Sequence, residues 1–222
     1  NPTYGQSIVS YTGNGSDGAT VGHGLSSAPD MVIVKSRDSV HHWSVGHVGL
    51  GTNEVLLLSS NAAKANCVTG FSNGGVGARG ATTFTLEAGT SDANNVNTNT
   101  EGFIAYCFHS VTGYSKFGSY TGNATSGNTV TTGFLPAFVL IKQSSASGEN
   151  WYMYDSAREA QPKKIIALKP GEAAAEVSNS AKEVEFTSTG FKLNSTNGAL
   201  NANNESYVYA AFADKREYAY WL

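Results

Sequence analysis

The stretch "GYSKFGSYTGN" occupies residues 113–123, and its second half has a near copy, "SYTGNGS", at residues 10–16. Recurrence after about one hundred positions is the signature of a repeated structural unit, so the chain reads as two halves. Set side by side, "SYTGNGS" matches "SYTGNAT" (119–125), and "APDMVIVKS" (28–36) matches "LPAFVLIKQ" (135–143). Trp43 then answers Trp151, "VLLL" (55–58) answers "IIAL" (165–168), and "FTL" (84–86) answers "FKL" (191–193). Last, "GFIAYCF" (102–108) stands against "SYVYAAF" (206–212).

Every matched segment is short, rich in Val, Ile, Phe, Tyr and Thr, and bounded by Gly, Asn, Ser or Pro, which is the pattern of β-strands. "MVIV" and "FVLI" are apolar at consecutive positions, so they present oily side chains on both faces and belong in central strands. The expected fold is all-β: two tandem, similar antiparallel β-sandwiches related by internal duplication, residues 1–112 and 113–222. Ile33, Ile141, Phe108, Phe212 and the paired Trp43 and Trp151 are expected in the cores, because shared placement points to a common interior. "YTGN" is read as a strand running into a turn, with Gly13 or Gly122 followed by Asn14 or Asn123 supplying residues that accept positive φ. Tyr114, Phe117 and Tyr120 are expected to pack across the junction. "PGEAAAEV" (170–177) is the one segment expected to form a short surface helix.

Only 14% of the residues are charged, against about 25% in an average soluble protein. Such a polar, uncharged surface suits extracellular adhesins and virion proteins. A formal charge of -3 offers no positive field for phosphates, which disfavours nucleic acid. No apolar run approaches the roughly 20 residues of a membrane span. The start "NPTYGQSIVS" has neither an initiating Met nor a signal core, and it reads as a segment of a longer polypeptide. Cys67 and Cys107 could form one disulfide or remain thiols.

The segments "GQSIVSYTGNG" (5–15), "VGHGLSSAPDMVIVKSRD" (21–38), "AYCF" (105–108), "GYSKFGSYTGN", "TGFLPAFVLIK" (132–142), "GFKL" (190–193) and "YVYAAFA" (207–213) resemble an uncharacterised tandem β-domain family. That family recurs in structural and tail-fibre-like proteins of marine tailed phages, including those infecting cyanobacteria. The resemblance implies a role in virion structure and host attachment, and it carries over no catalytic residues. "NCVTGFSNGGVGARG" (66–80) departs from the Trp-containing segment usual in the family.

Candidate chemistry is sparse. "HHWSVGH" (41–47) gathers three histidines, but His41 and His42 are adjacent and diverge in an extended chain, so they read as surface residues rather than metal ligands. Cys107 and His109 share a strand face, yet nothing supplies an oxyanion hole, and a thiol between two aromatics reads as core filling. Glu183 and Glu185 lie on one strand and cannot oppose each other across a glycosidase cleft. Recognition is assigned instead to the loops 71–80, 90–100 and 144–150 and to the aromatic tail, with Asn73, Arg79, Asn94, Asn95, Asn97, Asn150, Tyr218, Tyr220 and Trp221 as contact residues.

The expected function is therefore a non-enzymatic virion module of a tail fibre or appendage, without cofactor or metal. Its expected partners are other virion proteins, further copies in a homotrimer, and a host-surface glycan or protein. Decoration of a capsid or tube lattice is the alternative, and a surface glycan-degrading enzyme comes third.

Overall fold

The computed structural model describes residues 1–68, 74–87, 95–158, 166–177 and 182–213; the expected contacts Asn73, Asn94, Tyr218, Tyr220 and Trp221 lie outside them. The protein is all-β, and the chain divides into two compact units, Asn1–Ser110 and Val111–Leu222. In the first unit the strands are β1 (Gln6–Thr12), β2 (Ala19–Gly22), β3 (Met31–Ser36), β4 (Ser44–His47), β5 (Glu54–Leu57), β6 (Ala65–Asn66), β7 (Gly75–Arg79), β8 (Thr83–Glu87) and β9 (Gly102–Phe108). They form a six-stranded sheet in the order β1-β9-β3-β4-β5-β6 and a three-stranded sheet β2-β8-β7.

The second unit contains β10 (Ser115–Thr121), β11 (Asn128–Thr131), β12 (Pro136–Gln143), β13 (Tyr152–Asp155), β14 (Val184–Thr187), β15 (Gly190–Leu193), the short helix α1 (Gly198–Asn201) and β16 (Ser206–Ala213). Its sheets run β10-β16-β12-β13 and β11-β15-β14. This repeats the order β1-β9-β3-β4 and β2-β8-β7 of the first unit, with no strand among the described residues answering β5 or β6, and the pairings of these strands are antiparallel. Tyr11 faces Phe103 as Tyr120 faces Tyr207, and Val32 faces Cys107 as Val139 faces Ala211. One sequence match is out of step: Val45 pairs with Leu56, and Met153, in the same place, bridges to Leu168 rather than to residue 166.

Within each unit the two sheets close on one core. Val32, Val34, Phe103, Ala105 and Cys107 from the larger sheet meet Val76, Phe84 and Leu86 from the smaller in the first unit. Val139, Ile141, Tyr152, Tyr154, Tyr207 and Tyr209 meet Val130, Phe191 and Leu193 in the second. Alternation of side chains along β3 sends Val32 and Val34 inward, which leaves Ile33 on the outer face and only half-buried, contrary to expectation. Phe108 and Phe212 are also half-buried on outer faces, whereas Ile141 and Trp151 are buried as expected. Trp43 is half-buried and stacks on Tyr106 with ring centroids 6.5 Å apart, so the matched tryptophans differ in environment. Tyr114 and Phe117 pack edge-on against Phe212, and Tyr120 stacks on Tyr207, all inside the second unit.

The recurring "YTGN" has a more specific role than a turn. Tyr11 Oη donates to the Val96 carbonyl at 2.6 Å and Tyr120 Oη to the Leu200 carbonyl at 2.8 Å. None of Gly13, Asn14, Gly122 and Asn123 takes positive φ; that falls to Gly15 and Ala124. Glycine is needed because a Cβ at Gly13 would collide with the Thr98 carbonyl oxygen, and one at Gly122 with that of Ala202. The backbone N–H of Asn14 then donates to buried Asn97 Oδ1, as that of Asn123 donates to buried Asn201 Oδ1. Strand, glycine and asparagine thus lock onto the segment leading into the last strand of each unit.

"PGEAAAEV" is exposed from Pro170 to Glu176 and not helical. A run this short forms a helix only if it buries a face; here only Val177 at its end packs on the core, and it does so by bridging to Ala167 in an extended chain. The helix α1 forms instead at "NGALN", where Asn197 Oδ1 caps the Ala199 N–H and Ala199 and Leu200 enter the core.

Candidate functional site

The segment "RDSVHHW" (37–43) joins β3 to β4, and the chain folds it around one carboxylate, Glu101, which sits just before β9. Ser36 Oγ donates to Glu101 Oε2 at 2.9 Å, Ser39 Oγ donates to Oε1 at 2.5 Å, and His41 Nε2 lies 3.2 Å from Oε2. Ser36 Oγ also accepts the N–H groups of Asp38 and Ser39, and Lys35 Nζ donates to the Ser39 carbonyl. Asp38 Oδ2 closes the arrangement by accepting the Gly102 N–H at 2.6 Å. Burial alone would raise the Glu101 carboxyl, but the Ser39 and Ser36 hydroxyls and the neighbouring His41 outweigh it and hold the group below its ordinary value. Its contribution to stability is therefore present above the ordinary carboxylate range and is lost only as pH falls through its lowered value.

The clamp orders the loop from beneath and leaves its tip bare. Arg37, Asp38, Val40 and His42 are exposed, Val40 completely. His42 Nδ1 lies 2.9 Å from Ser59 Oγ, while its N–H donates to Asn95 Oδ1. The two adjacent histidines therefore diverge, one toward the clamp and one toward Ser59, within a loop rather than a strand. The second unit repeats the device: Ser145, in the loop between β12 and β13, donates to Glu205, which precedes β16 as Glu101 precedes β9.

Three expected contact residues are structural. Asn95 and Asn97 are buried, and Asn97 Nδ2 donates to Asn14 Oδ1 and the Ser16 carbonyl. Arg79 ends β7 partly buried, donates to the His47 carbonyl at 3.0 Å, and is pushed down by burial, with Asp30 opposing. Asn97 holds the turn, Arg79 the His47 carbonyl and Asn95 the His42 N–H, and only the polar composition of their loops suggested outward contact. Asn150 is half-buried in the second clamped loop.

The remaining candidates resolve into packing. Both cysteines are free and buried, and burial pushes each thiol up to about 12, which removes thiolate chemistry near neutral pH. His109 Nδ1 lies 2.9 Å from the Ser110 carbonyl oxygen, outside the core that holds Cys107. His23 is buried, accepts the Leu25 N–H and lies 3.2 Å from the Gly80 carbonyl oxygen. Glu185 pairs with Lys192 at 3.4 Å. Among the described residues, no group of three or more His, Cys, Asp or Glu is placed to hold a metal ion, and no helix is long and apolar enough to cross a membrane.

Sequence reasoning missed Glu101, Ser36 and Ser39. The signal was available in the alignment of the halves, which sets Glu101 opposite Glu205, each directly ahead of the final strand. No curated protein and no solved structure matches the chain. Residues 1–216 match a family described as Domain of unknown function (DUF7483), and the chain belongs to that family.

Proposed function

We propose that this DUF7483 member is a non-enzymatic module of a tailed-phage virion, part of a tail fibre or comparable appendage, which attaches to the host surface through its clamped loops. The observation that carries the reading is the Glu101 clamp, which holds Arg37–Trp43 in one conformation while leaving Arg37, Asp38, Val40 and His42 in solvent. A loop ordered before contact loses little entropy on binding. Its mixed side chains, one cationic, one anionic, one apolar and one imidazole, can meet a host glycan or protein. A single contact of this size is weak, in the millimolar range or about -4 kcal/mol, and several copies on one particle raise avidity by about 10² to 10⁴. The resemblance to marine phage structural proteins and the low charge agree with a place on the virion exterior.

Lattice decoration is the second reading, favoured by Tyr4, Val48 and Leu135, apolar side chains each about half exposed. The test is binding of fluorescently labelled chain to host cells by wild type and by an Arg37→Ala, Val40→Ser double variant. Attachment predicts a loss of cell binding with an unchanged melting temperature. Equal binding by both proteins overturns it, and localisation to the capsid or tube lattice by electron microscopy favours decoration.

A further inference from the structure

We infer that the outer edge of β1 is a self-association site at which a second copy of the chain pairs, β1 against β1, around Ser10. Main-chain groups alternate in direction along an antiparallel strand. Gln6 exchanges hydrogen bonds with Asn1, away from β9, so the N–H and C=O groups of Ile8, Ser10 and Thr12 also point away from β9. Among the described residues, none of these groups has a partner. The next outward position in each direction is engaged, Gln6 by Asn1 and Asn14 by Asn97. What remains is a window from Ile8 to Thr12 with Ser10 at its centre.

Such a window is its own complement. Laid antiparallel about a two-fold axis, Ser10 meets Ser10 and Ile8 meets Thr12, and every open donor and acceptor finds a partner. A strand from a different protein would have no need of that symmetry. The strand Gln6–Thr12 carries no charge to repel its copy, and Ile8 is 68% exposed on an edge without Lys, Pro or bulge. A cleft of about 330 Å³ between β1 and β2 leaves room beside the edge.

The second unit shows what a guarded version of the same edge looks like. There Asn128 takes the place of Ala19 and donates to the outward Thr121 carbonyl at 3.3 Å, a bond with no counterpart at Thr12 among the described residues. Lys116 stands in the strand, and Phe117, which corresponds to Ile8, is only 3% exposed. The second edge is guarded at its Thr121 end and by Lys116, and the first carries neither guard.

The experiment is sedimentation equilibrium of the full chain over a wide range of concentration, with Ile8→Lys, Ser10→Pro and the control Ser119→Pro. Wild type and Ser119→Pro are expected to form a dimer. Ile8→Lys should weaken it by about tenfold or more, a loss of about 1.4 kcal/mol, and Ser10→Pro should abolish it by removing the central donor. Ile8 is an exposed side chain, so its variant keeps the test valid if Ser10→Pro does not fold. A wild type that stays monomeric, or a dimer that both variants leave intact, overturns the inference.

Discussion

Replacing Lys142 by Met should stabilise the second unit at neutral pH, and the gain should disappear in alkali. Lys142 has no exposed surface, and its ammonium donates to the Gln143 carbonyl at 2.6 Å. Burial pulls its pKa from 10.5 down to about 8, with Glu149 offsetting part of the effect. At about 1.4 kcal/mol per pH unit, the charged form costs about 3 kcal/mol in the folded chain. Because the folded value lies below the unfolded one, the cost is fully present below pH 8 and is relieved as pH rises toward 10.5. Subtracting about 1 kcal/mol for the lost hydrogen bond, Lys142→Met should gain about 2 kcal/mol at pH 7 and almost nothing near pH 10. Buried tyrosines act in the opposite direction: Tyr120 and Tyr154 are raised well above 10.0 by burial and Tyr207 to about 12, so their contribution is lost at high pH. The difference between the two proteins cancels that contribution. Urea unfolding of the full chain at pH 7 and 9.5, followed by fluorescence and near-UV circular dichroism, measures it. A variant less stable than wild type by the same amount at both pH values would refute the reasoning.

Other substitutions probe the lock and the core. Gly122→Ala should cost about 1–3 kcal/mol through its collision with the Ala202 carbonyl, read as a lower melting temperature of the second unit. Asn201→Ala strips the partner from the Asn123 N–H, from Asn128 Nδ2 and from the Thr125 and Ser195 carbonyls, and should cost about 3–5 kcal/mol in denaturant. Cys107 should resist thiol reagents at pH 8 in the native chain and react at once in urea, since burial keeps it protonated.

The fold was legible wherever one local pattern had one physical solution. Strand composition and the matched apolar runs gave the all-β class, and the register pairs Phe84 with Val21 as Phe191 pairs with Val130, as the aligned "FTL" and "FKL" require. Face assignment was harder. "MVIV" is apolar throughout, so its sequence cannot say that Val32 and Val34 face the core and Ile33 the outer side. The contact residues were least legible, because asparagine serves a buried lock and an exposed loop equally well. Asn97 is the example: its loop looked free, yet both ends of its amide are committed to a turn more than eighty residues away. The clamp escaped for a related reason, since Glu101 acts on a loop distant in sequence and only the alignment with Glu205 marks it.

Amide hydrogen exchange of the loop beneath Val40 addresses the central claim most directly. If Glu101 holds the loop in one conformation before any partner arrives, the amides of Asp38, Ser39 and Gly102 are protected in wild type. In Glu101→Gln they should exchange about tenfold or more faster, while the Asn14 amide at the lock is unchanged. Wild-type loop amides that exchange as fast as an unstructured peptide would contradict the account.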